Sequence, residues 1–408
     1  MKQVKGSLVP KLRFREFAGD GDWKKQPLGK FLDYQQPTPY LVSDTKYSDD
    51  YKIPVLTAGK TFVLGYTNEQ HGIFKDNLPV IIFDDFTTAT QFVDFPFKAK
   101  SSAMKILLPK NGVSIKFMHE AMKMISYEVG SHERHWISKF APMLIAIPTD
   151  HREQQKIADC LSSLDELIDA EDKKLEALER HKKGLMQELF PAEGQTLPKL
   201  RFPEFADDGE WNKELGSGLF WSINNKKHNS DLSILAITQE HGAIPRDKID
   251  YRVSVTEKSI ESYKVVEVGD FIISLRSFQG GIEYSKYKGL CSPAYIILRR
   301  KRDDHEGFFK HYFKTNRFIE DLNRDIEGIR DGKMVSYDQF SKIIVPLPKS
   351  KLEQQKIADC FSSVDDIITS QTQKIDALKK HKKGQMQQLF PNAHEAQNLN
   401  INTNNQNP

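Results

Sequence analysis

The chain repeats itself, and the repeat limits what it can fold into. Residues 153–191, EQQKIADCLSSLDELIDAEDKKLEALERHKKGLMQELFP, align without a gap on residues 353–391 at a constant offset of 200, with roughly 24 of 39 positions identical. A second pair opens each half: PKLRFREFAGDGDWKKQPLG from Pro10 matches PKLRFPEFADDGEWNKELG from Pro198, so that Trp23 answers Trp211. The chain is therefore two tandem copies of one plan. Between the matched ends, residues 28–148 and 215–348 share little beyond a Pro-containing exit, IAIPTD in one and IVPLPKS in the other. A constant frame around divergent content is what two binding modules with the same attachments and different targets would carry.

Read at helical spacing, the first repeated segment places Ile157, Leu161, Leu164, Ile168, Leu175 and Leu178 at steps of three and four, with Leu185 and Leu189 beyond them. This is the a/d seam of a coiled coil. The second keeps the register with Ile357, Phe361, Val364, Ile368, Ile375 and Leu378, and neither has an internal proline. A helix of roughly 36 residues is about 54 Å long, more than a small domain can bury. The reading is two helices packed side by side, antiparallel, with a pseudo-twofold relation between the halves. Glu171, Gln371, Lys182 and Lys382 interrupt the seam and would act as register pins. Cys160 and Cys360, beside the seam, are expected to be buried as small apolar groups. The basic HKKG before each LFP complements a helix C-terminus, with Gly184 and Gly384 loosening the last turns, and leaves a phosphate contact open.

Each intervening block reads as α/β (α+β) with short strands. VIIFDD at residues 80–85, MKILLPK at 104–110, DFIISL at 270–275 and AYIILRR at 294–300 have the aliphatic density of buried strands, and one helix is expected to follow the second strand in each block. The connection between the paired strands is DFTTATQFVDFPFKAKSS in the first block and RSFQGGIEYSKYKGLCSP in the second. Thr87, Thr88, Thr90, Gln91, Lys98 and Lys100 in the first, and Arg276, Ser277, Gln279 and Lys286 in the second, are the side chains of DNA readers: Arg and Gln pair bidentately with guanine and adenine, and Ser, Thr and Lys suit phosphates. A basic, turn-rich loop before each exit strand adds His132 and Arg134 in one half and Arg330 and Lys333 in the other; Lys60, in a Gly-Lys-Thr turn, completes the candidates.

Catalytic signatures are missing from the 408 residues. Gly59-Lys60-Thr61 would need a glycine five residues before Gly59 to be a phosphate loop, and Pro54 stands there. There is no GxSxG elbow, no amino-methyltransferase NPPF or NPPY, and no CxxC or HExxH pair for a metal. Asp84 and Asp85 could hold magnesium in a nuclease, but no ExK completes such a site and a strand-end acidic turn accounts for them. With 59 basic against 56 acidic residues, the net charge of +3 neither announces nor forbids a nucleic-acid partner. No run of about 18 apolar residues marks a membrane span, and the opening lacks the apolar core of an export signal, so a cytoplasmic protein with no membrane partner is expected. No bound cofactor or metal is expected on this chain. The rivals to a DNA reader are a coiled-coil adaptor that binds proteins and a nuclease with a degenerate metal site.

The paired LRFREF and LRFPEF openings with their tryptophans, the EQQKIA entries and the two long helices ending in HKKG and LFP resemble the specificity subunit of type I restriction-modification systems. The likeness covers nearly the whole chain; Arg15 stands where the second copy has Pro203. The resemblance implies two target-recognition domains, residues 1–150 and 192–350, each reading half of a bipartite, asymmetric double-stranded DNA site. Helices over residues 151–191 and 351–391 would be the spacer that sets the gap, and lengthening one by a heptad should widen it. The Asn- and Gln-rich residues 392–408 would be a disordered tail. It also implies partners: two adenine N6 methyltransferase subunits using S-adenosylmethionine, and restriction subunits driven by ATP with magnesium, while this chain catalyses nothing.

Overall fold

A computed structural model describes residues 8–59, 61–127, 129, 134–249, 260–324 and 335–391, and the chain forms two compact units, Met1–Asp172 with Lys374–Pro408, and Lys173–Gln373. Lys60, His132, Arg330, Lys333 and the tail 392–408 lie outside the described residues.

The first unit is built on a four-stranded sheet in the order β2-β8-β5-β6, with β2 Leu32–Gln35, β5 Val80–Asp84, β6 Thr90–Val93 and β8 Met104–Pro109. Because successive side chains point to opposite faces, the continuous apolar run of β5 feeds two cores. Ile81 and Phe83 join Trp23, Leu107, Phe117 and Trp136 on one side, and Val80 and Ile82 join Leu56, Phe74, Phe97 and Ile106 on the other. Strands β3 Ile53–Leu56, β4 Val63–Thr67 and β7 Lys98–Ala99 cover the second face, and β1 Lys24–Pro27 pairs antiparallel with β9 Leu144–Ile147. Helix α1, Ile115–Lys123, begins at Ser114, whose side chain accepts a hydrogen bond from the Phe117 amide.

The second unit repeats the plan. Its sheet runs β11-β18-β15-β16, from Phe220–Ile223, Ile296–Arg300, Phe271–Ile273 and Glu283–Tyr284. β10 Asn212–Leu215 pairs with β19 Ile344–Leu347 as β1 does with β9. Around it lie β12 Leu235–Thr238, β13 Gly242–Pro245, β14 Lys264–Val266 and β17 Gly289–Cys291. The short helices are α3 Gly216–Leu219, α4 Ser277–Gly280, α5 Glu306–Tyr312, α6 Asn316–Asn323 and α7 Tyr337–Lys342. Where the sequence predicts one helix from FFKHYFK to NRDI, there are two, because Thr315 caps a new start by accepting from the Phe318 amide.

The two long helices are α2 His151–Leu189 and α8 Lys351–Leu389, each running unbroken through the glycine of HKKG to the LFP, so the glycines do not end them. The repeated letters of the frame now have a cause. In the first unit Arg13 of LRF donates both Nε and Nη2 to Glu153 at 2.8 and 2.7 Å, and Trp23 Nε1 donates to the same carboxylate at 3.2 Å. In the second, Arg201 and Trp211 hold Glu353 at 2.7, 2.8 and 3.1 Å. The following glutamine ties the helix start to the exit strand: Gln154 Nε2 donates to the Pro148 carbonyl and Gln354 Nε2 to that of Pro348. Arginine, tryptophan, EQ and the exit proline are thus one clamp made twice.

Within the first unit the start of α2 meets the end of α8. Lys374 pairs with Glu171 at 2.6 Å, Lys382 with Asp165 at 2.6 Å, and Leu389 and Phe390 share a core with Ile157 and Leu161. Within the second unit Lys182 pairs with Asp365 at 2.5 Å, and Leu189 and Phe190 share a core with Ile357 and Phe361, whose ring stacks on Phe190. All twelve seam residues named from the sequence are buried or half-buried, whereas Leu167 and Ile367, off the seam, are exposed. Cys160 and Cys360 are free thiols packed partly buried against the two cores.

Candidate nucleic-acid interface

At the C-terminal end of β5 the chain turns at residues 84–89. The Asp84 carboxylate accepts from the Phe86 and Thr87 amides at 2.9 and 2.8 Å, and Thr88 takes φ +61°, which presents Thr87 at the tip. Asp85 is buried and fastens a second loop to this turn: its carboxylate accepts from the Trp136 amide at 2.8 Å, and its carbonyl from the His135 amide at 3.0 Å. Phe83 holds the rings of Trp136 and Phe140 at 5.3 and 4.9 Å. The single π-turn Trp136–Phe140 therefore starts beside the Thr87 tip, with Arg134 exposed before it. Asp84 and Asp85 thus have structural partners, and Lys105 lies 3.4 Å from Asp85.

The rest of this connection is not the solvated loop its composition suggests. Thr90 and Gln91 lie half-buried on β6, and Lys100 donates to the Tyr47 hydroxyl at 3.2 Å. Lys98 is a correction: its side chain is 1 % exposed, paired with Glu69 at 2.7 Å and donating to the His71 carbonyl. Burial opposes ionisation of Glu69, but Lys98 and the Asp44 and Ser43 amides overcome it and hold the carboxyl at about 2. Lys98 is a strut under β7, and cannot offer its ammonium to a phosphate.

In the second unit the equivalent turn follows β15. Ser277 is also a correction: it is buried, and its hydroxyl accepts from the Ser274 amide at 2.9 Å, while Ser274 Oγ accepts from the Arg276 amide at 3.2 Å. The serines brace the turn and leave Arg276 and Gln279 exposed on it. Gly281 has φ +78°, and an added Cβ would sit on the Phe313 carbonyl, so only glycine fits there. Sequence reasoning missed the hairpin between β12 and β13. Its exposed tip, Gln239 to His241, reaches this turn, where Gln239 Nε2 donates to the Arg276 carbonyl at 3.2 Å. Gly242 at φ +67° was the available signal for that tip. Lys286 is exposed on the next loop beside Tyr287, over whose ring Lys248 lies at 4.7 Å.

The structure thus gathers the Thr87 turn and the Arg134–Phe140 loop at the end of β5, and Arg276, Gln279 and the Gln239 tip at the end of β15, on turns braced by buried residues; Thr90, Gln91, Lys100 and Lys286 lie elsewhere. Among the described residues no group of three or more His, Cys, Asp or Glu could hold a metal ion, and no helix is long and apolar enough to cross a membrane.

Residues 20–180 and 190–380 match the family described as the type I restriction modification DNA specificity domain. The chain is 50% identical over 137 residues to the type I restriction enzyme EcoR124I/EcoR124II specificity subunit of Escherichia coli, over 32% of this chain and 34% of the relative. It is 26% identical over 250 residues to the putative type I restriction enzyme MjaX specificity subunit of Methanocaldococcus jannaschii, over 58% of this chain and 56% of that one. The alignments thus span about a third and just over half of those relatives. The fold is shared with the crystal structure of a type I restriction-modification S subunit from M. genitalium, at a TM-score of 0.60 and 16% identity over 94% of this chain and 99% of that one. With the matched family covering both tandem copies, the chain belongs to the type I restriction-modification DNA specificity family.

Proposed function

We propose that this chain is the DNA-reading, non-catalytic subunit of a type I restriction-modification complex, each unit reading one half of a bipartite, asymmetric site in double-stranded DNA. The observation that carries the reading is the contrast between the Arg–Glu–Trp clamp, built identically twice, and the tips at the ends of β5 and β15, built differently. One framework with two dissimilar tips suits one complex and two half-sites. Arg276, Gln279, Thr87 and Thr88 would supply base and phosphate contacts, with Lys100, Arg134 and Lys286 on the backbone. Affinity would fall as salt rises.

The same reading makes α2 and α8 one antiparallel pair with pseudo-twofold symmetry, the spacer between half-sites. Its support is reciprocity: Lys382–Asp165 in one unit and Lys182–Asp365 in the other are the same pair with the copies exchanged. An antiparallel pair of like helices makes contacts in this way. Because the two helices repeat one sequence, two copies of one partner would meet the same residues on each. That partner would be an adenine N6 methyltransferase subunit bringing S-adenosylmethionine, joined by restriction subunits bringing ATP and magnesium, all acting in the cytoplasm. Methylome sequencing of cells with and without the chain tests the reading. A bipartite motif carrying modified adenines should vanish on deletion; an unchanged methylome with specific protein partners recovered instead would favour an adaptor.

A further inference from the structure

Two apolar side chains stand where the reading residues cluster. Ile137 is 61 % exposed and follows Arg134 on the π-turn fastened to Asp85, beside the Thr87 tip. Leu275 is 49 % exposed and lies between Ser274 and Arg276, on the turn that carries Gln279 and touches Gln239. Scattered exposed apolar residues need no explanation. These two differ in standing on braced turns at the ends of the central strands: Leu275 directly after β15, and Ile137 on a separate loop before β9 that Asp85 fastens to the end of β5. Trp136 is held inward by the hydrogen bond its backbone N–H donates to the Asp85 carboxylate and by its packing on Phe83, and Ile137 beside it stays exposed. Ser277 Oγ to the Ser274 amide and Ser274 Oγ to the Arg276 amide hold Leu275 in the same way. Preorganised turns of this kind belong to binding sites, and single π-turns recur at functional ones.

In the major groove the one apolar group that distinguishes base pairs is the thymine 5-methyl, and Arg and Gln in the same cluster match the donors and acceptors beside it. We propose that Ile137 and Leu275 each contact the methyl group of a thymine in the half-site read by their own unit, adding an apolar element to the polar readout. The inference rests on the DNA-reading function proposed above. It is tested with duplexes carrying the chain's methylated motif, each thymine replaced in turn by uracil, bound to the full chain assembled with its modification subunits. One uracil in each half should weaken wild-type binding about fourfold, the worth of roughly one buried methyl. Ile137→Ala should be blind to the first of these substitutions and normal toward the second, and Leu275→Ala the reverse. Both residues are exposed, so the variants should fold. Specific binding that ignores every uracil, a half-site without thymine, or variants that keep full uracil sensitivity would overturn the inference and leave the function standing. Loss of sequence-specific binding in the wild type would instead overturn the function itself.

Discussion

The sockets that receive Lys382 in the first unit and Lys182 in the second are built on the same repeated helix letters and differ in charge. Lys382 is 10 % exposed and meets Asp165 at 2.6 Å and Glu120 of α1 at 3.4 Å, with Lys123 and His119 on the far side of Glu120. Lys182 is 30 % exposed and meets Asp365, which also faces Lys310 at 3.9 Å and His311 at 4.0 Å of α5. The divergent block thus adds a carboxylate under one lysine, and a second lysine with a buried imidazole around the other. Repeating a framework residue does not repeat its worth, because part of its environment comes from the half of the chain that diverges.

The clamps should break this comparison least and the fold most. Glu153→Ala and Glu353→Ala each strand a buried guanidinium and indole, and each should cost about 3 to 5 kcal/mol in denaturant unfolding, nearly equally. A large inequality would mean that the two clamps are not equivalent. The lysines should then separate the units. Lys382→Met leaves Asp165 and Glu120 facing each other without their shared cation and should cost about 2 kcal/mol, while Lys182→Met relieves crowding with Lys310 and should stay within about 1 kcal/mol of wild type. At the tips, Arg276→Ala should lose about 1 to 3 kcal/mol of discrimination in one half-site and none in the other, measured by competition binding.

The smallest and sharpest differences concern pH. Burial, reinforced by Lys310, pushes the His311 imidazole down from 6.5 to about 3, so the unfolded chain binds the proton first. Stability contributed there is complete above about 6.5 and is lost as pH falls toward 3; His311→Leu should flatten that slope. His119, buried in the first unit, is depressed in the same direction. Glu120 adds a buried acid window to the first unit: burial opposes its charge, but His119, Lys123 and Lys382 hold it at about 2 against an ordinary 4.5. Its contribution is present above 4.5 and lost as pH falls through 2, and Glu120→Gln should reduce that acid limb to the part that Glu69, held at about 2 in the same unit, still supplies.

Much of this was legible in the letters. The seam positions, the paired strands β5 with β8 and β15 with β18, and the duplicated plan follow from periodicity and self-comparison, which are local or repeated signals. The clamp was visible only as repetition, since Arg13 and Glu153 stand 140 residues apart and no local rule couples them. Lys98 misled for a related reason. A lysine in a Lys-rich stretch reads as solvated, and its partner Glu69 comes from a distant loop. Ser277 looked like a donor for DNA because a hydroxyl serves equally well as an internal brace.

The central claim is that one chain carries two independent readers whose separation is set by its helices. Matching heptads inserted after Asp172 in α2 and after Thr372 in α8 would lengthen each by about 10 Å, close to three base pairs of DNA. Methylome sequencing of cells carrying that variant should return both half-sites unchanged with the gap wider by about three base pairs. An unchanged gap, or altered bases in either half-site, would contradict the account.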